Sequence, residues 1–304
     1  MPAPQAGANR LHTDRVMGIA LVNLATLSWA TNMTLGRWLR DDIGPLTLAA
    51  SRFLIASAIY ALLLRRQPAS ERRLGRDGWL LAGMALTGVA VFGPTLYLGL
   101  RYTTTVNATL INGLGPLITG LLAALLIAEP MTRRQLGGAI VGLAGIAMLL
   151  SGGSLTFWRE AGLNVGDLIM LGAIALWALY SVLSRRVMRG RSALSATAFS
   201  SFLGLPLLLV AAAWEVQALP PHWTANLLLL ILYIGVVPTV VGFLAWNEGV
   251  RRLGSSGAMV FYNTLPLYGA LLGVLFLGES VGLAHLLGGA LIIGGGLWAA
   301  RGRS

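Results

Sequence analysis

Ten apolar runs, most of them about as long as a bilayer core is thick, leave this chain few ways to fold. They are roughly Val16–Leu35, Leu46–Leu64, Trp79–Leu100, Val106–Ala128, Leu136–Leu150, Val165–Leu183, Leu194–Ala213, Leu227–Asn247, Ala258–Leu277 and Leu283–Ala300. Hydrocarbon offers no water to the backbone, so a spanning segment must be a helix or part of a closed barrel. A barrel needs strands of alternating polarity about ten residues long, and none is present. The chain therefore reads as an all-α integral membrane protein with ten transmembrane helices. Composition agrees: 56% of the 304 residues are apolar and 11% charged, against roughly 25% charged in soluble proteins. The fifth run is short, and its flanks must help it span.

The arginines orient the spans. All 22 basic residues are arginine. Arg37, Arg40, Arg101 and Arg159 fall on one side, and Arg52 lies inside a run. The other seventeen fall in loops on the side of the N-terminus, which makes both termini cytoplasmic by the positive-inside rule. A net charge of +11 suggests nucleic acid at first sight. A nucleic-acid surface has no reason to alternate loop by loop, so no nucleic-acid partner is expected. The first run is too long for the apolar region of a cleaved signal peptide. There is no cysteine, hence no disulfide framework or thiolate metal site. There is no lysine either, so no phosphate-binding loop with its lysine is present. ATP-driven transport by this chain alone is not expected, and neither is a cofactor or metal.

The runs repeat. Aligning Trp29 with Trp177 pairs Ala30 with Ala178, Asn32 with Tyr180, Leu35 with Leu183 and Arg37 with Arg185. Further on, Ser51 and Phe53 match Ser200 and Phe202, Gly99 matches Gly249, and Pro116 matches Pro266. Glu129 matches Glu279, and Gly137-Gly138 match Gly288-Gly289. Five spans per copy is odd, so the second copy enters the membrane from the opposite side. The expected organisation is two inverted five-helix repeats, 1–151 and 165–304, joined by a glycine-containing, polar linker at 152–164. Inverted repeats of this kind place a substrate site near the midplane, between the copies.

The ordered set of ten spans, Leu176–Ser181, Pro116 with Ala128-Glu129-Pro130, and Pro266 with Gly278-Glu279 resembles the EamA family of the drug/metabolite transporter superfamily. The likeness covers essentially the whole chain. Within the family, Trp29, Trp177 and Ala245-Trp246-Asn247 are most similar to YddG-type exporters of aromatic and other amino acids. The resemblance implies a bacterial-type inner-membrane exporter. Its central cavity would be lined by the first, third, fourth, sixth, eighth and ninth helices.

Polar and aromatic residues inside the spans are the candidates for that cavity. They are Trp29, Asn32 and Met33 in the first helix, Tyr97 in the third and Asn112 in the fourth. Trp177 and Tyr180 follow in the sixth, Trp246 in the eighth and Tyr262 in the ninth. Rings of this kind stack on aromatic substrates or face an ammonium. Tyr180 and Tyr262 serve equally well as helix-packing residues. Trp38, Trp79, Trp158, Trp214, Trp223 and Trp298, near span ends, read as an interfacial belt. Pro116 and Pro266 sit mid-helix, where each kinks its helix and offers a point for gating. Asp167, Glu248, Glu129 and Glu279 all fall near span ends, which favours facilitated export of amino acids over proton coupling. The alternative is an exporter of aromatic cations, possibly proton-coupled, which needs a carboxylate facing the cavity. Arg52 either snorkels, pairs with carbonyls, or attracts a substrate carboxylate. An intramembrane enzyme would need a nucleophile–base pair or clustered acids at depth, and the sequence shows none. Substrate and lipid are the only partners required, and a monomer suffices.

Overall fold

The computed structural model describes residues 4–127, 132–152 and 164–300, all helix and short connections, with no strand among them. Glu129 and most of the 152–164 linker lie outside these residues. The helices in order are α1 (Pro4–Trp38), α2 (Pro45–Arg65) and α3 (Gly78–Tyr102). Next come α4 (Thr105–Asn112, resumed by Gly115–Ile127), α5 (Arg133–Leu150), α6 (Val165–Val187) and α7 (Ala193–Ala218). The chain then forms α8 (Ala225–Val236, extended through Gly242–Tyr262), α9 (Thr264–Leu277) and α10 (Leu283–Ala300). Among the described residues, eight helices, within α1 to α8, are long and apolar enough to cross a membrane; α9 and α10 are shorter apolar helices.

Helix starts follow the chemistry of caps. Thr104, Asn164, Ser192 and Thr224 each accept a backbone N–H of the first turn, and Thr132 forms a capping box with Gln135. Two starts draw on distant acids. Glu215, at the end of α7, accepts from the amides of Leu46 and Thr47 and from the Thr47 hydroxyl. Glu71, after α2, accepts from the amide and hydroxyl of Ser192 at the head of α7. Each of these two helices is thus capped by an acid at or just beyond the end of the other.

The main helix pairs correspond when the two halves are exchanged. Helix α1 packs on α8, and its counterpart α6 packs on α3. The pairs α2–α7, α4–α9 and α5–α10 each join counterparts. The α5–α10 seam is made of glycine: a methyl on Gly145 would sit 2.7 Å from the Gly288 carbonyl, and one on Gly295 2.6 Å from that of Gly138. Small residues at such spacing let helix backbones approach without a hydrophobic force from lipid. Arg37, at the end of α1, meets the end of α3, and Thr103 beside it meets Asp167 at the start of α6. The end of α1 and the start of α6 therefore share one face, and the two helices run in opposite directions.

Two counterpart helices carry the same irregularity. Ala85–Val91 in α3 and Val237–Val241 in α8 are wound as π-helix. In α8 the side chains around it use the carbonyls there: Trp29 Nε1 donates to Pro238 O at 3.1 Å and the Tyr60 hydroxyl to Thr239 O at 2.6 Å. Helix α8 also turns back on itself. The rings of Trp246 and Tyr262 are 5.5 Å apart, whereas sixteen residues of straight helix span about 24 Å. The chain reverses between them, as it does at Thr103-Thr104 in the first half.

Exposed Leu, Val and Phe cover the outer surface of the bundle, the surface that lipid requires. Trp38, Trp79, Trp214, Trp223 and Trp298 are among the exposed large side chains. Trp158 lies outside the described residues.

Candidate functional site

The centre of the bundle is a box of rings. Trp29 meets Trp177, Phe243, Trp246 and Tyr262 with centroids 5.6 to 6.2 Å apart. Trp177 stacks on Tyr180 at 5.2 Å and 25° and leans on Phe92 at 5.2 Å. Trp29 is held in place by its bond to Pro238 O, and Tyr262 by a 2.9 Å hydrogen bond to Asn112 Oδ1. Gly88 admits the Tyr180 ring, because a methyl there would come within 2.2 Å of it.

Two cavities flank the box and share Trp29, Trp177, Phe243 and Tyr262. One, about 190 Å³, runs past Pro116, Tyr180, Trp246 and Asn247 to Arg185, Met188 and Val250, toward the arginine-rich face. The other, about 50 Å³, lies deeper and is bounded by Asn32, Met33, Arg52, Phe53, Phe92, Asn112 and Thr239. No Asp or Glu lines either cavity among the described residues. A further cleft of about 230 Å³, between Thr31, Trp38, Tyr233 and Phe276, shares no residue with them and is almost wholly apolar. It faces outward and has no convergent polar groups.

Of the residues singled out from sequence, Trp29, Asn32, Met33, Asn112, Trp177, Tyr180, Trp246 and Tyr262 line one cavity or both. Tyr97 lines neither. It is buried behind the wall, donating to Asn32 Oδ1 at 2.7 Å and accepting from Arg52 Nη1 at 3.0 Å. Pro116 lines the larger cavity, but it is not mid-helix as expected: it lies in the first turn of the helix that resumes after the break at Gly113-Leu114, where its missing N–H costs no helical bond. Pro266 is buried against Gly113, just after the break at Asn263. The second helix, through Arg52 and Phe53, adds a wall that the resemblance did not imply. Phe92, Pro238 and Thr239 also went unread. Their cavity-facing positions depend on the π-helical turns, which shift the register of a face without leaving a periodic signal.

The end opposite the arginine-rich face is closed by polar contacts. Arg37 donates to the carbonyls of Leu100 and Arg101 at 2.9 and 2.7 Å. Asp167 accepts from the Thr103 hydroxyl and from Asn107 Nδ2. Glu279 accepts from the amides of Thr105 and Val106 at 2.7 and 2.9 Å.

A central ring-lined chamber between two similar halves is what a small-molecule carrier requires, and the comparisons agree. The EamA-like transporter family matches residues 16–151 and, a second time, residues 164–300. The chain belongs to the EamA-like transporter family. This EamA-like transporter is 27% identical to the "Uncharacterized transporter YyaM" of Bacillus subtilis (strain 168) over 92% of each chain. It is also 27% identical to the "Probable terminal-alkyne amino-acid exporter" of Streptantibioticus cattleyicolor, over 90% of this chain and 89% of that one. A solved crystal structure, 24% identical, covers 96% of this chain and 99% of its own with a TM-score of 0.61, and so shares the fold. The protein is thus a multi-pass membrane transporter and not an enzyme.

Proposed function

We propose that this transporter exports amino acids, aromatic and other apolar ones, across a bacterial-type inner membrane. Its ten spans form two inverted five-helix repeats with both termini cytoplasmic. Substrate passes between the repeats by alternating access, down its gradient. The observation that carries this reading is the ring box built around the counterpart pair Trp29 and Trp177, with no lining carboxylate among the described residues. Rings accept an aromatic or aliphatic side chain and tolerate an ammonium on their faces. The lack of a lining acid favours facilitated movement over proton coupling. It also counts against the aromatic-cation alternative, since among the described residues Arg52 and Arg185 are the charges on the lining. The larger cavity is below the roughly 300 Å³ at which ligand pockets usually begin, which suits a small metabolite better than a bulky drug. The exporter from S. cattleyicolor, named for amino acids, supports the same class, and the resemblance of Trp29, Trp177 and Ala245-Trp246-Asn247 to YddG-type exporters favours including aromatic ones.

Expression in a sensitive bacterium tests the reading. Cells should gain resistance to toxic phenylalanine analogues such as p-fluorophenylalanine, with no change toward ethidium. Resistance to ethidium alone would favour cation efflux instead.

A further inference from the structure

Among the described residues, Arg52 is the one charge on the wall of the smaller cavity, and it is only 5% exposed. Its surroundings hold the cation without neutralising it. Nη1 donates to the Tyr97 hydroxyl at 3.0 Å and to Asn32 Oδ1 at 3.4 Å, both neutral acceptors. The rings of Phe53 and Tyr97 lie 4.6 and 5.3 Å from its central carbon. Nε is buried without a hydrogen-bond partner among the described residues, and no carboxylate there forms an ion pair with this guanidinium. An isolated buried charge costs several kcal/mol, so a purely structural arginine at this depth would be expected to have a counter-ion.

The rest of the cavity is biased the same way. The amide oxygen of Asn32 is taken by Tyr97 and Arg52, and that of Asn112 by Tyr262. What these two lining amides chiefly still offer is N–H, which adds donors beside the guanidinium. A site of donors around an unneutralised guanidinium is complementary to an anion, and the planar fork of arginine matches a carboxylate in particular.

We infer that Arg52 is the anchor for the substrate's carboxylate, with Tyr97 and Asn32 as residues that position it. The substrate's side chain then lies in the ring box below. The inference rests on the amino-acid reading and sharpens it. The ligand class is a small apolar or aromatic monocarboxylate, and the amino group is less important than the acid.

Matched competitors against labelled phenylalanine, in proteoliposomes of the full-length protein, test this without any mutation. Phenylalanine and 3-phenylpropionate should both compete, whereas phenylalaninamide and phenethylamine should be at least ten times weaker. If the amide competes as well as the acid, Arg52 is not the anchor, although the transport of amino acids stands. If labelled phenylalanine does not move at all, both readings fall. Arg52→Gln should bring the acid-to-amide preference close to one, and Arg52→Lys should keep part of it. A preference unchanged in Arg52→Gln, in protein that still elutes as a single species, overturns the inference.

Discussion

The indoles of Trp29 and Trp177 meet edge to face, 6.2 Å apart and inclined at 71°, although they are counterparts in the two halves of the chain. Asn112 and Tyr262, also counterparts, share a hydrogen bond. Residues that touch their own counterparts lie on the axis relating the halves. The site is therefore built where the two copies meet, and any motion of one copy against the other must remake these contacts.

Trp177→Ala removes the stacking partner of Tyr180 and a wall of both cavities. An aromatic pair contributes about 0.5–1.5 kcal/mol beyond its buried area. The KM for phenylalanine should rise roughly two- to tenfold with expression unchanged. Transport kinetics in proteoliposomes read this directly; unchanged KM would place the substrate elsewhere.

Gly88→Ala should act on the fold as well as the site. The added methyl would lie 2.2 Å from the Tyr180 ring, and overpacking of this sort costs about 1–3 kcal/mol. Lower melting temperature in detergent is expected. Gly120→Ala, where nothing lies within 4 Å, should leave it unchanged.

Arg37 ties α1 to the end of α3 on the closed side, and its counterpart Arg185 borders the cavity on the arginine-rich side together with Val250. Exchanging the halves would bring Arg185 onto the carbonyls at Val250 and Arg251. Arg37→Ala should then favour the state open on the far side, and Arg185→Ala the state open on the arginine-rich side. The chain has no cysteine, so single introduced cysteines report accessibility without background. The two variants should move the labelling of a cavity cysteine in opposite directions.

On the arginine-rich side, Arg191 grips Asp77 with two bonds, 2.6 and 3.0 Å, tying α7 to the head of α3. The guanidinium holds the Asp77 carboxyl below the usual carboxylate range. A depressed pKa in the folded state adds stability above the unfolded value, and that stability fades as pH falls through the folded one. The melting-temperature gap between wild type and Asp77→Asn should be largest near neutral pH and close below about pH 4. A gap that persists under acid would mean the ion pair is not its source.

Much of this architecture was legible because lipid makes periodicity and charge unusually informative. The apolar runs are local features, and they mark the long helices directly. Trp29 and Trp177 stood out because duplication repeated them in register. Other features depend on partners far along the chain. Glu215 caps α2 across 168 residues, and no local pattern announces that. Tyr97 carries the same ring-plus-hydroxyl chemistry as Tyr262, but a neighbouring arginine from another helix draws its hydroxyl behind the wall. The inward direction of Arg52 was undecidable from its own run, because a lone charge in an apolar helix can snorkel or turn inward with equal ease.

Counterflow in proteoliposomes tests the whole account most directly. Vesicles loaded with unlabelled phenylalanine and diluted into trace label should accumulate that label without ATP or a pH gradient, and tryptophan outside should suppress it. Accumulation no greater than in protein-free vesicles would contradict a carrier for amino acids at the junction of the two halves.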